Sequence, residues 1–279
     1  MKGPNDVDLG LTDKVALVTG SYRGTGAGIA TALAGEGATV LVHGHEAGQA
    51  DDVVEAITAN GGKALVVVGD VRSEEGTATM VDDVRAQLVV GGRDRVDVVV
   101  NNFGNTDHAS DWDAADTATW HGSYDVNVVS AFRVTQAFLP DMRAAGWGRV
   151  VFMSTVGATR PGDTIPEYYT AKGALPSMAV GLAKHLSGTG ITVNCVSPGI
   201  IATAEVVASY TRRAERDGRA TDWESVQELI QEGRMANPTG RVPTPDDIGR
   251  FVTLVVSEPA WHLNGAHLRI DGGASDAVT

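Results

Sequence analysis

The fold of this chain is decided by Lys14–Gly26, KVALVTGSYRGTG. Its first part, Lys14–Thr19, is short, apolar and rich in β-branched residues, which is typical of a strand buried on both faces. A glycine-rich turn follows, and helix formers with apolar residues at helical spacing then continue to Gly35. Glycines let the backbone turn tightly and approach a pyrophosphate at the positive end of a helix. The stretch therefore predicts the start of a dinucleotide-binding domain.

Strand and helix patterns alternate along the rest of the chain. Further strands are predicted at 38–42, 64–68, 96–100, 149–153, 191–196 and 266–270, and the first two helices between them at 51–59 and 74–88. Strands separated by helices indicate a parallel sheet, and right-handed crossovers make it doubly wound. We predict an α/β fold in one domain, residues 1–279, with a Rossmann-type parallel sheet of about seven strands and helices on both faces.

Composition excludes several classes of partner. The net charge is −13 at pH 7, which argues against nucleic acid and anionic membrane surfaces, because both bind clustered cations. The single Cys195 excludes an internal disulfide and lies in an apolar run, as a buried structural thiol would. Residues 1–10 are polar, unlike a signal peptide, and no apolar run reaches the ~18–20 residues of a membrane span. We expect a cytoplasmic protein.

A candidate acid–base pair lies in Pro166–Gly173, PEYYTAKG. Tyr168 and Lys172 are four residues apart, so on a helix both side chains share one face. A phenol has a pKa of about 10, and a neighbouring ammonium can lower it by roughly 1–3 units. That shift would suit general acid–base catalysis near neutral pH. The pair could arise by chance, so its meaning depends on a cofactor site elsewhere in the chain.

Motifs spread over nearly the whole chain supply that context. They are Thr19-Gly20-x-x-x-Gly24-x-Gly26, Asp70-Val71, Asn101-Asn102-Phe103-Gly104, Val126-Asn127, Gly148-Arg149-Val150, Ser154, Tyr168-x-x-x-Lys172, Pro198-Gly199 and Asp271-Gly272-Gly273. In this order and spacing they make the chain resemble the short-chain dehydrogenases/reductases, in particular the single-domain type that includes 3-oxoacyl-acyl-carrier-protein reductases. The resemblance implies an enzyme that transfers a hydride between a nicotinamide cofactor and a carbonyl or secondary alcohol.

Three positions depart from the family pattern. Phe103 stands where the family usually has alanine, beside the cofactor's ribose and nicotinamide. The interval from Ser154 to Tyr168 is one residue longer than usual, which leaves Thr155 as a second candidate for the serine's role. Pro176 falls inside the helix of Tyr168 and Lys172, where it removes a hydrogen bond to the Lys172 carbonyl and favours a kink.

The resemblance also implies which residues bind the cofactor, across the carboxyl ends of the strands. They are Gly20, Ser21, Arg23, Gly24, Thr25, Gly26, His45, Asp70, Val71, Asn102, Phe103, Gly104, Tyr168, Lys172, Pro198, Gly199, Ile201 and Thr203. Asp70 would bind adenine, although a helix cap or turn role is the alternative. The second strand lacks an acid at its end, though Glu46 is close, and Arg23 lies where NADP enzymes of the family often place a cation. This pattern favours NADP over NAD, with His45 assisting.

The resemblance assigns four catalytic roles. Tyr168 exchanges a proton with the substrate oxygen, and Lys172 lowers the pKa of Tyr168 and binds the nicotinamide ribose. Ser154 holds the substrate oxygen by a hydrogen bond. Asn127 helps to hold a water linked to Lys172, or else is a packing amide. Tyr169 is expected to be a packing or pocket-wall residue, because Gly173 follows it at the lysine's spacing. No histidine or acidic cluster predicts a metal site.

Substrate choice is expected to lie in residues 200–243, a lid segment with helical patterns at 204–216 and 223–232. Its arginines are Arg212, Arg213, Arg216, Arg219 and Arg234. They either pair with nearby acids or bind an anionic substrate, such as a thioester on phosphopantetheine. Two other functions stay open, an NADP-binding sensor or scaffold without turnover and a sugar, steroid or polyol dehydrogenase. The resemblance further implies a homotetramer acting on a small molecule.

Overall fold

A computed structural model describes residues 7–106, 110–233 and 236–276 of the chain. Within these ranges, seven strands form one parallel sheet in the order β3-β2-β1-β4-β5-β6-β7. The strands are β1 Val15–Val18, β2 Thr39–Gly44, β3 Lys63–Val68, β4 Val98–Asn101, β5 Gly148–Met153, β6 Ile191–Pro198 and β7 His267–Ile270. The predicted doubly wound parallel sheet is therefore confirmed.

Helices connect the strands and cover both faces of the sheet. They are α1 Gly24–Gly35, α2 Asp51–Ala59, α3 Glu74–Val90, α4 Thr117–Tyr124, α5 Ser130–Ala145, α6 Pro166–His185, α7 Ala204–Arg216, α8 Trp223–Gln231 and α9 Pro245–Val255. A π-helical turn, Asp125–Val129, joins α4 to α5, and a 3₁₀ turn, Val156–Ala158, follows β5. The helix predicted at 204–216 has those bounds, and the one predicted at 223–232 ends one residue earlier.

The hydrophobic core has one large cluster on each face of the sheet. Neighbouring residues of β1 point to opposite faces, so Leu17 joins the cluster with Phe138 of α5, and Val18 joins the cluster with Ile29 of α1. This division is why β1 is apolar at every position. A third, small cluster contains Val226, Ile230 and Val242, within the predicted lid segment 200–243. These residues thus pack in a cluster separate from the two on the sheet faces.

The topology locates a crevice between β1 and β4. These strands are neighbours, but the chain leaves β1 toward one edge of the sheet and β4 toward the other. Loops at their carboxyl ends diverge, and doubly wound sheets bind ligands at such a switch point. The glycine turn after β1, the Asn101–Gly104 segment after β4 and the loops after β5 and β6 all open toward this end.

Candidate active site

The glycine turn forms a tight cradle between β1 and α1. Gly20 and Gly24 have φ of +61° and +55°, the left-handed region that suits glycine. A Cβ on Gly26 would lie 2.4 Å from the Gly20 carbonyl oxygen and 2.6 Å from Asn102 Nδ2, so alanine would not fit there. Asn102 Nδ2 donates to the carbonyls of Thr19 and Gly20 at 2.9 and 3.1 Å. The shape of the turn is therefore fixed from β4.

His43 supports the same turn from below. The Gly20 amide donates to His43 Nδ1 at 2.9 Å, and Nε2 lies 2.8 Å from the Gly69 carbonyl oxygen. Both contacts are satisfied only by the neutral tautomer with its proton on Nε2. Burial lowers the pKa of His43 to about 4, so the ring is neutral at pH 7. Sequence reasoning missed this role, because nothing local signals that a strand histidine lies under the turn.

Ser21 was predicted to bind cofactor, but its side chain faces the protein interior. Its hydroxyl donates to the Val18 carbonyl at 2.6 Å and accepts from the His43 amide at 2.9 Å. Ser21 is fully buried, and Val71 is also buried in the core. We therefore take both as supports of the site rather than as its lining.

Lys172 and Asn127 converge on Gly104. Lys172 is buried, and its Nζ donates to the Met153 carbonyl at 3.0 Å. A Cβ on Gly104 would lie 2.5 Å from Lys172 Nζ and 2.7 Å from Asn127 Oδ1, so the motif glycine makes room for both groups. Asn127 lies in the π-helical turn and binds the backbone of Asn105, the residue after Gly104. The Asn105 amide donates to Asn127 Oδ1 at 3.1 Å, and Asn127 Nδ2 donates to the Asn105 carbonyl at 3.0 Å. Such turns are frequent at functional sites.

Burial dominates the electrostatics of the candidate acid–base pair. It raises the pKa of Tyr168 to about 12, with a smaller contribution from Tyr169. It lowers the pKa of Lys172 to about 8, which still leaves the ammonium mostly protonated at pH 7. Desolvation of the phenolate is the largest cause of this upward shift in the Tyr168 pKa. A lowering of that pKa by the Lys172 ammonium stays a prediction.

Ser154 and Pro176 are linked through the Lys172 carbonyl. Proline has no amide hydrogen, so Pro176 cannot donate to the carbonyl four residues earlier, which is that of Lys172. The Ser154 hydroxyl takes that place and donates to the Lys172 carbonyl oxygen at 2.7 Å. Helix α6 accordingly continues through Pro176 to His185. This contact uses the only hydroxyl proton of Ser154.

Thr155 has the opposite arrangement. Its Oγ1 accepts from the Gly157 amide at 3.3 Å, which caps the 3₁₀ turn and leaves the hydroxyl proton for another acceptor. Thr155 lines the cavity that also contains Tyr168 and Lys172. The geometry thus favours Thr155 over Ser154 as the hydroxyl that donates to a substrate oxygen.

One cavity of about 620 Å³ brings most of the predicted residues together, a volume within the range of ligand pockets. The predicted residues that line it are Gly20, Arg23, Gly24, Thr25, Gly26, His45, Asn102, Phe103, Gly104, Ser154, Tyr168, Lys172, Pro198, Gly199, Ile201 and Thr203. Asp70 reaches it through Arg72, a lining residue that it binds at 2.7 Å. Sequence reasoning missed Tyr22, Arg72, Asn105, Met153, Ile200, Glu205 and Val206. Five of them lie beside or between predicted residues, which was the available signal, whereas Glu205 and Val206 lie further along the chain, after Thr203.

Tyr169 packs behind the site. A Cβ on Gly157 would lie 2.1 Å from the Tyr169 ring, so the ring rests on that glycine. The ring centroids of Tyr168 and Tyr169 are 5.7 Å apart. Tyr169 lines a separate small cavity with Arg160, on the far side of Thr155. This position agrees with the prediction of a packing or wall residue.

Two arginines that line the cavity are paired with acids, and the ring of His45 lies near a third carboxylate. Arg23 Nη1 lies 2.9 Å from Glu205 Oε1, Arg72 Nη2 lies 2.7 Å from Asp70 Oδ2, and His45 Nε2 lies 3.7 Å from Glu46 Oε1. In the lid, Arg213 pairs with Asp217 at 3.7 Å and Arg219 with Glu232 at 2.8 Å. Arg234 lies outside the described residues. The paired alternative for the lid arginines therefore holds for two of them.

Neither a metal nor a membrane span is indicated in the described part of the chain. No group of three or more His, Cys, Asp or Glu residues there could hold a metal ion. No helix among those residues has the length and apolarity needed to cross a bilayer. His108, one of the scattered histidines, is outside the described ranges.

The fold and the site define a Rossmann-type oxidoreductase with a Tyr-x-x-x-Lys pair at the cofactor crevice. The family model for short chain dehydrogenases matches residues 14–214. The chain belongs to this family, which confirms the predicted class, an NAD(P)-dependent oxidoreductase.

Individual relatives agree over almost the full length. The chain is 32% identical to D-beta-hydroxybutyrate dehydrogenase of Cupriavidus necator, covering 94% of this chain and 98% of that protein. L-sorbose reductase of Gluconobacter frateurii, solved with NADPH and L-sorbose, is 28% identical with a TM-score of 0.87, covering 98% and 100%. A 3-oxoacyl (acyl-carrier-protein) reductase of Agrobacterium tumefaciens C58, solved with NADP, is 28% identical with a TM-score of 0.80, covering 95% and 96%.

Proposed function

We propose that this protein is an NADP-dependent reductase of a small carbonyl compound, reversible as the dehydrogenase of the corresponding secondary alcohol. The observation that carries the proposal is the convergence of Tyr168, Lys172 and Thr155 in the cavity that the glycine turn opens. The residues fit a dinucleotide, because the turn has no room for a Cβ at Gly26 and presents the amino end of α1. When bound, NADPH would supply the hydride. Arg23 supports NADP, as do the NADP and NADPH complexes of the solved relatives.

Tyr168 is the proton donor to the substrate oxygen. Its pKa of about 12 keeps it protonated at neutral pH, which suits an acid in the reducing direction. Lys172, as a buried ammonium, stabilises the phenolate that remains after transfer. Asn127 lies beside Lys172 at Gly104 and can help to hold a water that returns a proton from solvent.

Thr155 holds the substrate oxygen by a hydrogen bond from its hydroxyl. Ser154, first assigned this role, instead supports the helix turn that carries Lys172, because its proton is used on the Lys172 carbonyl. The remaining predicted cofactor-binding residues retain their roles in this proposal, except Ser21 and Val71.

For the substrate, we propose 3-oxoacyl thioesters and sugars, whose reduction gives polyols, as the two classes to test first. The first follows the resemblance to 3-oxoacyl-acyl-carrier-protein reductases, and the second is supported by the sorbose reductase with its TM-score of 0.87. Cytoplasmic location and a homotetramer remain predictions for the whole molecule.

The test is the consumption of NADPH, followed by its absorbance, against ketoses, 3-oxo acids, simple ketones and 3-oxoacyl thioesters. Oxidation of the matching alcohols with NADP⁺ is measured in parallel. The proposal expects turnover with at least one carbonyl class and binding of NADPH without substrate. Tight NADPH binding with no turnover of any compound would favour the sensor or scaffold instead.

A further inference from the structure

Arg23 is shared between two parts of the site, and this sharing bears on cofactor choice. The residue lies in the glycine turn, whereas its partner Glu205 lies in the first turn of α7, the first helix of the lid. The two side chains meet at 2.9 Å and both line the main cavity. Their elements approach each other there, since a Cβ on Gly24 would lie 3.7 Å from Thr203 Cγ2, just before Glu205.

The other acid contacts at this end of the cavity are local. Asp70 and Arg72 are two residues apart, and Glu46 follows His45 directly. Each of these acids belongs to the same turn as the side chain that it contacts. Glu205 belongs to a different element from Arg23, so its contact is the one that can be exchanged without refolding a turn.

We infer that Glu205 sets the preference between NADP and NAD by competing with the 2′-phosphate for Arg23. A phosphate monoester carries about −1.5 to −2 charges at pH 7, whereas the 2′-hydroxyl of NAD is neutral. To bind the phosphate, Arg23 must leave Glu205 or hold both anions, and the carboxylate also repels the phosphate. NAD brings no anion to this position and leaves the pair intact. The inference rests on the proposed use of NADP.

Glu205 is ionised under the conditions where this competition occurs. Its pKa is lowered, first by a hydrogen bond with its own backbone amide and further by the Thr203 hydroxyl and the Arg23 charge. The side chains of Arg23 and Glu205 are 63% and 54% exposed, so water and salt screen their attraction. A modest effect is therefore expected, of the size that separates related cofactors rather than one that abolishes binding.

The test measures dissociation constants of NADPH and NADH for Glu205→Gln, by fluorescence of the bound nicotinamide. Glutamine keeps the length of the side chain and removes only the charge. NADPH should bind about 2–5-fold more tightly than to the wild type, in line with an exposed pair, while NADH changes by less than about 2-fold. The gain should shrink as salt is raised.

Two further variants show whether Arg23 mediates the effect. Glu215→Gln removes an equal charge from the exposed face of the same helix and should leave both constants unchanged. Arg23→Ala should weaken NADPH binding more than NADH binding, and Glu205→Gln should give a smaller NADPH gain in that background, since the carboxylate then has no cation to compete for.

Three results would overturn the inference: no gain for NADPH with Glu205→Gln, an equal gain for NADH, or an undiminished gain with Arg23→Ala. A wild-type protein that binds NADH better than NADPH would instead contradict the proposed function. The two failures are distinguishable because the first compares variants and the second compares cofactors on the wild type.

Discussion

Two adjacent hydroxyl residues, Ser154 and Thr155, have different tasks at the end of β5. Thr155 is the group that we propose to hold the substrate oxygen. Removing one preorganised donor of this kind costs on the order of 10²-fold in kcat. Thr155→Val keeps the shape and removes the hydroxyl, so we expect about that loss. Thr155→Ser should retain most activity. A fully active Thr155→Val variant would show that another group donates the hydrogen bond to the substrate oxygen.

Ser154 should matter for stability more than for chemistry. Ser154→Ala leaves the buried Lys172 carbonyl without a partner, which costs about 1–3 kcal/mol in the free energy of unfolding. Pro176→Ala restores an amide hydrogen to that carbonyl. The double variant should therefore lose less free energy of unfolding than the sum of the losses of the two single variants, as measured by urea denaturation. Strict additivity would contradict the link between Ser154 and Pro176.

Sequence reasoning named Tyr168 and Lys172 from their spacing of four residues and Asn127 from the family resemblance. It could not decide whether Ser154 or Thr155 faces the substrate, because that depends on which hydroxyl donates to the Lys172 carbonyl of α6. Pro176 was visible as a lost hydrogen bond, but its replacement partner comes from another element. Ser21 was placed in the cofactor set because it lies in the glycine-rich motif, and its contact with the His43 amide, which belongs to another strand, could not be read from the local sequence.

At the scale of elements, the glycine turn depends on a neutral His43. Its pKa falls from 6.5 to about 4 on folding, so the unfolded chain binds the proton more tightly. Stability from this group is present above pH 6.5 and is lost as the pH falls toward 4. The full loss is about 3 kcal/mol in the free energy of unfolding.

Denaturation at pH 7.5 and pH 5 checks this expectation. His43→Gln should show a weaker fall in stability between these pH values than the wild type. His185→Gln removes an exposed histidine and serves as the control, with a wild-type pH response. An equally steep fall in the His43 variant would mean that other groups cause the acid sensitivity.

Most elements could be predicted because their apolar runs are uninterrupted. The edges were less certain: β6 extends to Pro198, two residues beyond the predicted end, because pairing with β7 continues past the apolar run. The same pairing places Pro198 at the rim of the cavity. The local sequence does not show which strand a residue will pair with, so the strand ends near the site were the weakest predictions.

At the scale of the whole molecule, we predict a homotetramer. The family resemblance places interfaces at roughly 119–145, 168–186 and 266–273. Apolar side chains are exposed in the first two ranges, at Tyr124 and Phe132, which are 47% and 50% exposed, and at Val180. Light scattering should give the mass of four chains, and Phe132→Asp should give smaller species. A one-chain mass for the wild type at micromolar concentration would refute this.

The most direct test of the account is the pair Tyr168→Phe and Tyr169→Phe, with one working substrate and saturating NADPH. Phenylalanine keeps the ring and removes the proton that Tyr168 is proposed to donate. General acid catalysis contributes ~10²–10⁴-fold, so Tyr168→Phe should lose at least about a hundredfold in turnover. It should still bind NADPH, and Tyr169→Phe should retain most activity. An active Tyr168→Phe beside an inactive Tyr169→Phe would contradict the account.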